Sequence, residues 1–362
     1  MNGTEQFKLM GEAIATVYGS LHRITHREIV EHLTTYSRTI GNGHGPPTRR
    51  LRRVYQLYEK LKVKLHRWDY DDILLSALEV IKRAQVLPYF DGLEYLLVDE
   101  FQDTNDVQWG IVNALHRRFD LPVFVVGDDD QSIYGFRGAS PKYLQQGTAT
   151  FSNAKQYLLT FNFRSDRKIV SHADTFIRHL NDRIEKPLQA TSNAAGFVQA
   201  YGVTNTLVQT TVVSDILQGI IENSSASVSV AVLARNRRQL YEAWRRYRER
   251  VQSGGSPTNR VDVEFRTFHD SKGKEWDVVI LLHLSVTHDR DFMSGTDSER
   301  RNEERRLFYV AMTRAKFALI LFVPFERDGV RTAPLAFLQE ANIKITAWDA
   351  KDVHRIRETL DR

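Results

Sequence analysis

Two short apolar runs, each ending abruptly in acids, constrain this chain more than anything else in it. The first, Tyr95-Leu96-Leu97-Val98, runs into Asp99-Glu100-Phe101-Gln102-Asp103. The second, Pro122-Val123-Phe124-Val125-Val126, runs into Gly127-Asp128-Asp129-Asp130-Gln131-Ser132-Ile133-Tyr134-Gly135-Phe136-Arg137-Gly138. Short β-branched runs bounded by polar clusters read as buried parallel strands. In an open α/β sheet, chemistry collects beyond the carboxyl ends of the strands, where both acidic clusters fall. An Asp-Glu pair in that place can hold Mg²⁺ on its first carboxylate, because Mg²⁺ takes few carboxylates besides water and phosphate oxygens. The second carboxylate can orient or deprotonate an attacking water. The bland alternative is that such acids cap the next helix. In the second cluster the Gln131 amide can sense a γ-phosphate. Tyr134 or Phe136 can stack on a base, worth ~1–3 kcal/mol, or pack on their own domain.

The rest of the chain alternates helical and strand patterns. Residues 6–40, 48–68 and the segment opening Asp69-Tyr70-Asp71-Asp72 read as helices, the last with acids in its first turn where the helix dipole favours them. A helix near 106–118 separates the two acid-ended runs. Strands are expected at 156–160, 197–203, 228–234, 261–265, 278–284 and finally 318–323. The intervening helices fall near 166–181, 206–222, 237–251 and 303–316, with an exposed loop over 287–302. The pattern implies two α/β domains with mainly parallel sheets. At 362 residues the chain is long enough for two cores. It has no cysteine, which excludes disulfides and thiolate metal sites and fits a reducing compartment. No apolar run approaches the ~20 residues of a membrane span. No signal-peptide pattern opens the sequence, so a cytoplasmic location is expected. Net charge is +5, and arginines cluster at 49–53, 235–238, 245–248 and 300–306, compatible with a polyanionic partner or with solvated helix faces.

Taken together, the motifs resemble UvrD/Rep-type superfamily 1 helicases. Val98 to Asn105 is similar to motif II, and Val126 to Ala139 to motif III. Phe161-Asn162-Phe163-Arg164-Ser165 resembles motif IV, Thr267 to Glu275 motif V, and Glu303 to Ala315 motif VI. The resemblance implies two RecA-like parallel-sheet domains with a small helical subdomain. Residues 1–85 would be a helical auxiliary remnant and 86–155 a first RecA-like domain, incomplete at its N-terminus. Residues 156–362 would be the second such domain, with a Gly/Ser link at 252–258. It further implies that Asp99 binds Mg²⁺, Glu100 activates water, and Gln131 couples the γ-phosphate to DNA. Phe163, where the family has tyrosine, stacks on adenine. Arg164 and Arg314 clamp the γ-phosphate, Glu275 accepts from the ribose, and Gly273 shapes the same nucleotide-binding loop. Tyr134, Phe136 (a tryptophan in the family), Arg137, Thr267 and His269 contact DNA.

Two departures from the family pattern matter. The Gly-x-x-x-x-Gly-Lys-Thr/Ser loop that cradles phosphates has no match in this sequence, whose sole Gly-Lys pair is Gly273-Lys274. The large auxiliary subdomain usual between motifs IV and V is replaced by the short link near 252–258. The resemblance therefore implies an ATP-dependent 3′–5′ DNA helicase or single-strand translocase subunit, acting on single-stranded or partly duplex DNA in repair or defence. ATP hydrolysis is expected to need a partner, or a further segment, that supplies the phosphate loop. The alternative is a degenerate helicase serving as a DNA-binding or scaffolding subunit beside a nuclease, as in phage-defence systems. An RNA-directed role is a third option.

Overall fold

The structure is a computed structural model. It describes residues 1–19, 24–41, 45–46, 48–83, 90, 92–151, 153–223, 226–254, 260–286 and 298–360, the side chains of 150, 223, 251–254 and 299 excepted. The chain divides into two compact units, Met1–Lys155 and Gln156–Arg362.

In the first unit, helices α1 (Gly3–Tyr18), α2 (His26–Gly41) and α3 (Arg49–Lys64) enclose a core of Leu9, Met10, Ala13, Ile14, Ile29, Tyr36, Val54, Tyr55 and Tyr58. The single helical stretch expected over 6–40 is thus two helices, broken after Gly19, whose φ of +92° suits a residue without a side chain. Helix α4 (Tyr70–Lys82) starts on a capping box in which Asp69 accepts from the Asp72 amide. One ion network locks this junction. The buried Lys62 ammonium lies 2.9 Å from both the Asp69 and Asp72 carboxylates and 3.0 Å from Glu59, and donates to Tyr36 Oη at 3.1 Å. Tyr58 donates to the same Asp69 at 3.0 Å.

Strands β1 (Leu96–Val98) and β2 (Val123–Val125), joined through α5 (Asp106–Phe119), pair in parallel with Leu97 opposite Phe124. The sheet is parallel as expected, but the expectation that it is buried is corrected. Leu97 is 70% and Phe124 59% exposed, with Tyr95 and Val126 also exposed, while Leu96, Val98, Val123 and Val125 are half-buried. A two-stranded sheet alternates its side chains between two faces, and only one of these is covered.

The second unit is built on a fully parallel sheet, six-stranded among the described residues. Its strands are β3 (Phe197–Val203), β4 (Val228–Ala234), β5 (Val261–Thr267), β6 (Trp276–Leu281), β7 (Ala315–Pro324) and β8 (Ile345–Ala347). Their order is β8-β3-β7-β6-β4-β5. The central strands read as near-continuous apolar runs because helices cover both faces. These helices include α6 (Arg167–Ile177), α7 (Thr206–Asn223), α8 (Arg237–Gly254), α9 (Ser298–Met312) and α10 (Asp352–Leu360). Val230, Val232, Ile280, Ile320 and Phe322 lie fully buried among Val213, Ile216, Leu217 and Ile220 of α7.

Several boundaries differ from the sequence reading. Residues 156–160 form no strand; only Phe161–Asn162 pairs, with Gln189–Ala190. The strand at 315–324 is not the last, since β8 follows it on the sheet edge. Helix α9 begins at Ser298, inside the stretch expected to be a loop, whose residues 287–297 lie outside the described residues, as do 255–259 of the link.

Two buried polar groups give stability predictions. Lys62→Met leaves the buried Asp69 and part-buried Asp72 unpaired, and we expect it to cost ~3–5 kcal/mol in urea denaturation. His283, beyond β6, has φ +59° and sits in a polar niche. Its amide donates to Gln209 Oε1 at 3.0 Å, and its Nε2 lies 3.1 Å from Gln239 O. Burial, helped by Arg327, pushes its pKa down to about 4. The unfolded chain therefore takes up a proton that the folded chain refuses. This contribution is fully present above pH ~6.5 and is lost as pH falls toward 4, at most about 3 kcal/mol. His283→Asn, which tolerates the left-handed backbone, should flatten that part of the stability–pH curve.

Candidate functional site

In the first unit both acidic clusters follow the carboxyl ends of their strands, and a ladder of hydrogen bonds stitches them together. Val126 N donates to Val98 O and Phe101 N to Val126 O, both at 2.9 Å. The chain reverses at Glu100, whose φ of +50° is rare for a residue with a side chain; Asp99 Oδ1 accepts from its amide at 2.8 Å. The buried Gln102 side chain bridges the two loops. Its Nε2 donates to the Glu100 carboxylate, and its Oε1 accepts from Asp128 N at 3.0 Å. The Asp128 carboxylate in turn accepts from Gln131 Nε2 at 2.8 Å. The result is a continuous chain, Glu100–Gln102–Asp128–Gln131.

Sequence reading assigned Glu100 and Gln131 but missed the two residues that connect them. The available signal was the position of Gln102, between acids at a strand end, where a buried amide must find partners. Gly127 makes the approach possible. A Cβ there would lie 2.4 Å from Gln102 Oε1 and 3.1 Å from Phe101 N.

The carboxylates of Asp128, Asp129 and Asp130 lie within 4.8 Å of one another, the last two buried and Asp129 accepting from Gln145 Nε2 at 3.2 Å. Asp99 is exposed and stands apart from that group. Oxygen donors of this kind suit a hard divalent cation such as Mg²⁺.

The aromatic turn is held by Gly138 in the left-handed region (φ +85°) and backed by the end of α2, where a Cβ on Gly41 would meet Arg137 O at 3.0 Å. Tyr134 and Phe136 meet edge to face at 6.0 Å. The exposed Arg137 guanidinium sits 5.7 and 5.6 Å from their rings.

In the second unit the expected residues fall into two groups at opposite ends of the sheet. Thr267 ends β5 in register with Ala234 at the carboxyl end of β4, and His269 follows it. Segment 268–275 then runs back to Trp276 at the amino end of β6, which pairs with Ala315 at the start of β7. At that amino end, Arg164 Nε contacts Glu275 Oε2 at 2.7 Å, and Lys316 Nζ contacts Glu275 Oε1 at 3.1 Å. The Arg164 guanidinium, then Lys316, holds the Glu275 carboxyl below its usual range. Asn162 Oδ1 accepts from the amides of Arg164 and Ser165 at 3.0 and 2.8 Å, and Ser165 Oγ donates to Ala315 O at 2.6 Å, fixing this turn on β7. Phe163 beside it is 84% exposed. Gly273 is exposed with φ +75°.

Arg314 behaves differently from Arg164. It is 2% exposed, and its guanidinium donates to Val310 O at 2.9 Å, Lys274 O at 3.2 Å and Thr313 Oγ1 at 3.2 Å.

Residues 20–152 match the UvrD/REP helicase N-terminal domain, and residues 248–324 the UvrD-like helicase C-terminal domain. The chain belongs to the UvrD-type helicase family. It is 36% identical over 196 residues to a putative ATP-dependent DNA helicase, YjcD, of Bacillus subtilis, covering 52% of this chain and 26% of that protein. It is 32% identical over 189 residues to DNA helicase II of Escherichia coli, covering 52% and 26%. To a probable DNA helicase of Mycoplasma pneumoniae it is 28% identical over 312 residues, covering 83% and 57%. The chain thus spans between about a quarter and somewhat over half the length of these relatives. Among the described residues, no helix is long and apolar enough to cross a membrane.

Gly127→Ala should force the Gln102 amide off Asp128. We expect a loss of ~1–3 kcal/mol in unfolding free energy measured by urea denaturation, as overpacking typically costs.

Proposed function

We propose that this chain is a subunit of an ATP-driven 3′–5′ DNA helicase or single-strand translocase, with its phosphate-binding loop supplied by a partner chain or a further segment. The observation that carries the reading is the Glu100–Gln102–Asp128–Gln131 hydrogen-bond chain, which ends beside the Tyr134–Phe136 turn. Such a chain can transmit the state of a γ-phosphate to residues that touch bases. Glu100 takes a proton from the water that attacks the γ-phosphorus, while the bond from that phosphorus to the bridging oxygen breaks and ADP leaves. Arg164 offsets charge on the transferred group. Phe163 stacks on adenine, and Glu275 accepts from a ribose hydroxyl beside Gly273. Asp99 would hold Mg²⁺, which neutralises phosphate charge when bound. Tyr134, Phe136, Arg137, Thr267 and His269 contact single-stranded or partly duplex DNA. Two observations support an outside source for the phosphate loop: the sequence has no match to that loop, and Leu97 and Phe124 lie bare on one sheet face. A second reading, a DNA-binding or scaffolding subunit beside a nuclease in defence, draws support from the carbonyl-bound state of Arg314.

Nucleotide binding and hydrolysis, with and without single-stranded DNA, separate these readings. The isolated chain should hydrolyse ATP weakly. Its co-purifying complex should show DNA-stimulated hydrolysis that Glu100→Gln lowers at least a hundredfold. Robust hydrolysis by the isolated chain, abolished by Glu100→Gln, would overturn the need for a partner. A complex that binds DNA but no nucleotide would leave the scaffold reading standing and the motor reading refuted.

A further inference from the structure

Helix α8 carries a surface that none of the motifs explains. Its inner side is apolar: Leu240 and Ala243 are buried, and Tyr247 packs on Phe265 at 5.5 Å. Its outer side presents Arg237, Tyr241, Trp244 and Arg248 at intervals of four, three and four, which places them on one helical face. Tyr241 is 55% and Trp244 37% exposed, with ring centroids 6.1 Å apart and planes 34° apart, and the Arg248 guanidinium lies 4.8 Å over Trp244. An ordinary solvated helix face mixes both charges on lysine and glutamate. This helix, RRQLYEAWRRYRERVQSG, has six arginines, no lysine and two glutamates. Both glutamates contact one arginine, Arg245, at 2.9 and 3.1 Å.

We propose that this face is a contact for single-stranded nucleic acid. Exposed rings offer π-faces on which successive bases stack whatever their identity. Planar guanidinium groups bind phosphate with two parallel donors and also stack. Net positive charge supplies complementarity to the backbone and excludes an acidic-to-basic mismatch at the contact. From Arg237 to Arg248 the stripe is about 16 Å long at 1.5 Å per residue, roughly five nucleotides at a stacked spacing of about 3.4 Å.

Its position fits a strand entering from motif V. Phe268 N donates to Ala234 O at 2.9 Å just before α8, and the Arg237 guanidinium lies 3.9 Å from Asp270, next to His269. A strand touching Thr267 and His269 would therefore pass onto the N-terminal end of α8. That direction rests on the DNA-contact reading of the motif V loop; the aromatic–arginine face itself does not.

The test is fluorescence anisotropy of the full chain with labelled dT20 and rU20, over a range of salt. The Tyr241→Ala/Trp244→Ala variant should bind at least tenfold more weakly. Arg248→Ala should reduce the slope of log affinity against log salt by about 1, the signature of one lost phosphate contact. Tyr241→Phe/Trp244→Tyr, which keeps both rings, should bind as wild type. All these side chains are exposed, so thermal midpoints should stay unchanged. Weakening with both oligonucleotides assigns a face for single strands in general, and weakening with dT20 alone one for DNA.

Unchanged affinity in the Ala/Ala variant, or equal loss in the ring-keeping variant, overturns the proposal. Phe136→Ala tells the two readings apart. If it weakens binding while the α8 variants do not, the α8 face falls and the motif III reading stands. If the α8 variants weaken binding and Phe136→Ala does not, the reverse holds. A wild-type chain that binds neither oligonucleotide refutes both.

Discussion

A parallel β-sheet needs cover on both faces, and this requirement organises both units. Strands such as Val228–Ala234 are apolar at almost every position, so neither face tolerates water. In the second unit, helices α6 to α10 meet the requirement, and a dense core of aliphatic side chains results. In the first unit, the same strand chemistry occurs on two strands among the described residues. One face of that sheet is partly covered, and Leu97 and Phe124, in register with each other, are left outside. Each such side chain, if fully buried, contributes about 1.5–3 kcal/mol. The first unit therefore carries an unmet drive to acquire cover, independent of any argument about nucleotides.

Filled sheets push chemistry to their ends, and the two units use different ends. The first unit places Asp99, Glu100, Asp128 and Gln131 after the carboxyl ends of its strands, following the usual rule for open α/β sheets. The second places Arg164, Glu275 and Lys316 at the amino ends of β6 and β7, and Thr267 and His269 at the carboxyl end of β5. Segment 268–275 joins those two ends with only a single 3-10 turn, His269–Ser271, between them. It is fixed at one end by Phe268 N to Ala234 O and at the other by Trp276 N to Arg314 O, both at 2.9 Å. A shift in either group must pull on a short strap tied at both ends. The hydrogen-bond chain through Gln102 plays the matching part in the first unit.

Much of this was legible in the sequence, for identifiable reasons. Long strands flanked by helices, such as 197–203 and 228–234, announce themselves through seven-residue stretches that are mostly apolar and carry no charge. Residues 156–160, Gln-Tyr-Leu-Leu-Thr, are likewise uncharged and largely apolar, but among the described residues no strand pairs with them. Strand β8 escaped notice because three residues on a sheet edge carry too little pattern. The exposure of Leu97 was illegible because apolar content states a preference for burial and not whether a partner exists. The motifs located Glu100, Gln131, Arg164 and Glu275. The bridging roles of Gln102 and Asp128 depend on backbone reversal at Glu100 and on the bare Gly127, which no spacing rule reveals.

The two arginines that the family pattern pairs are not equally ready to act, and their surroundings say why. Arg164 is held by Glu275 in a pair that is more than a third exposed on the carboxylate side. Exposed pairs of this kind are worth ~0–1 kcal/mol, so a phosphate can take Arg164 from Glu275 at little cost, against one further, long donation from Arg164 Nη1 to Thr313 O at 3.4 Å. Glu275 keeps Lys316 when Arg164 leaves, and its charge stays partnered. Arg314 donates to two backbone carbonyls and a hydroxyl from a buried position. Val310 O keeps a donor in Thr313 Oγ1 at 3.1 Å when Arg314 leaves, so the cost falls on the buried guanidinium and on Lys274 O, at ~1–3 kcal/mol for a group left unsatisfied. One of them, Lys274 O, lies on the strap between the two ends of the second unit's sheet. In the motor reading, therefore, Arg164 answers to a nucleotide first, and any move of Arg314 must be accompanied by a move of segment 268–275, toward the residues read as touching DNA.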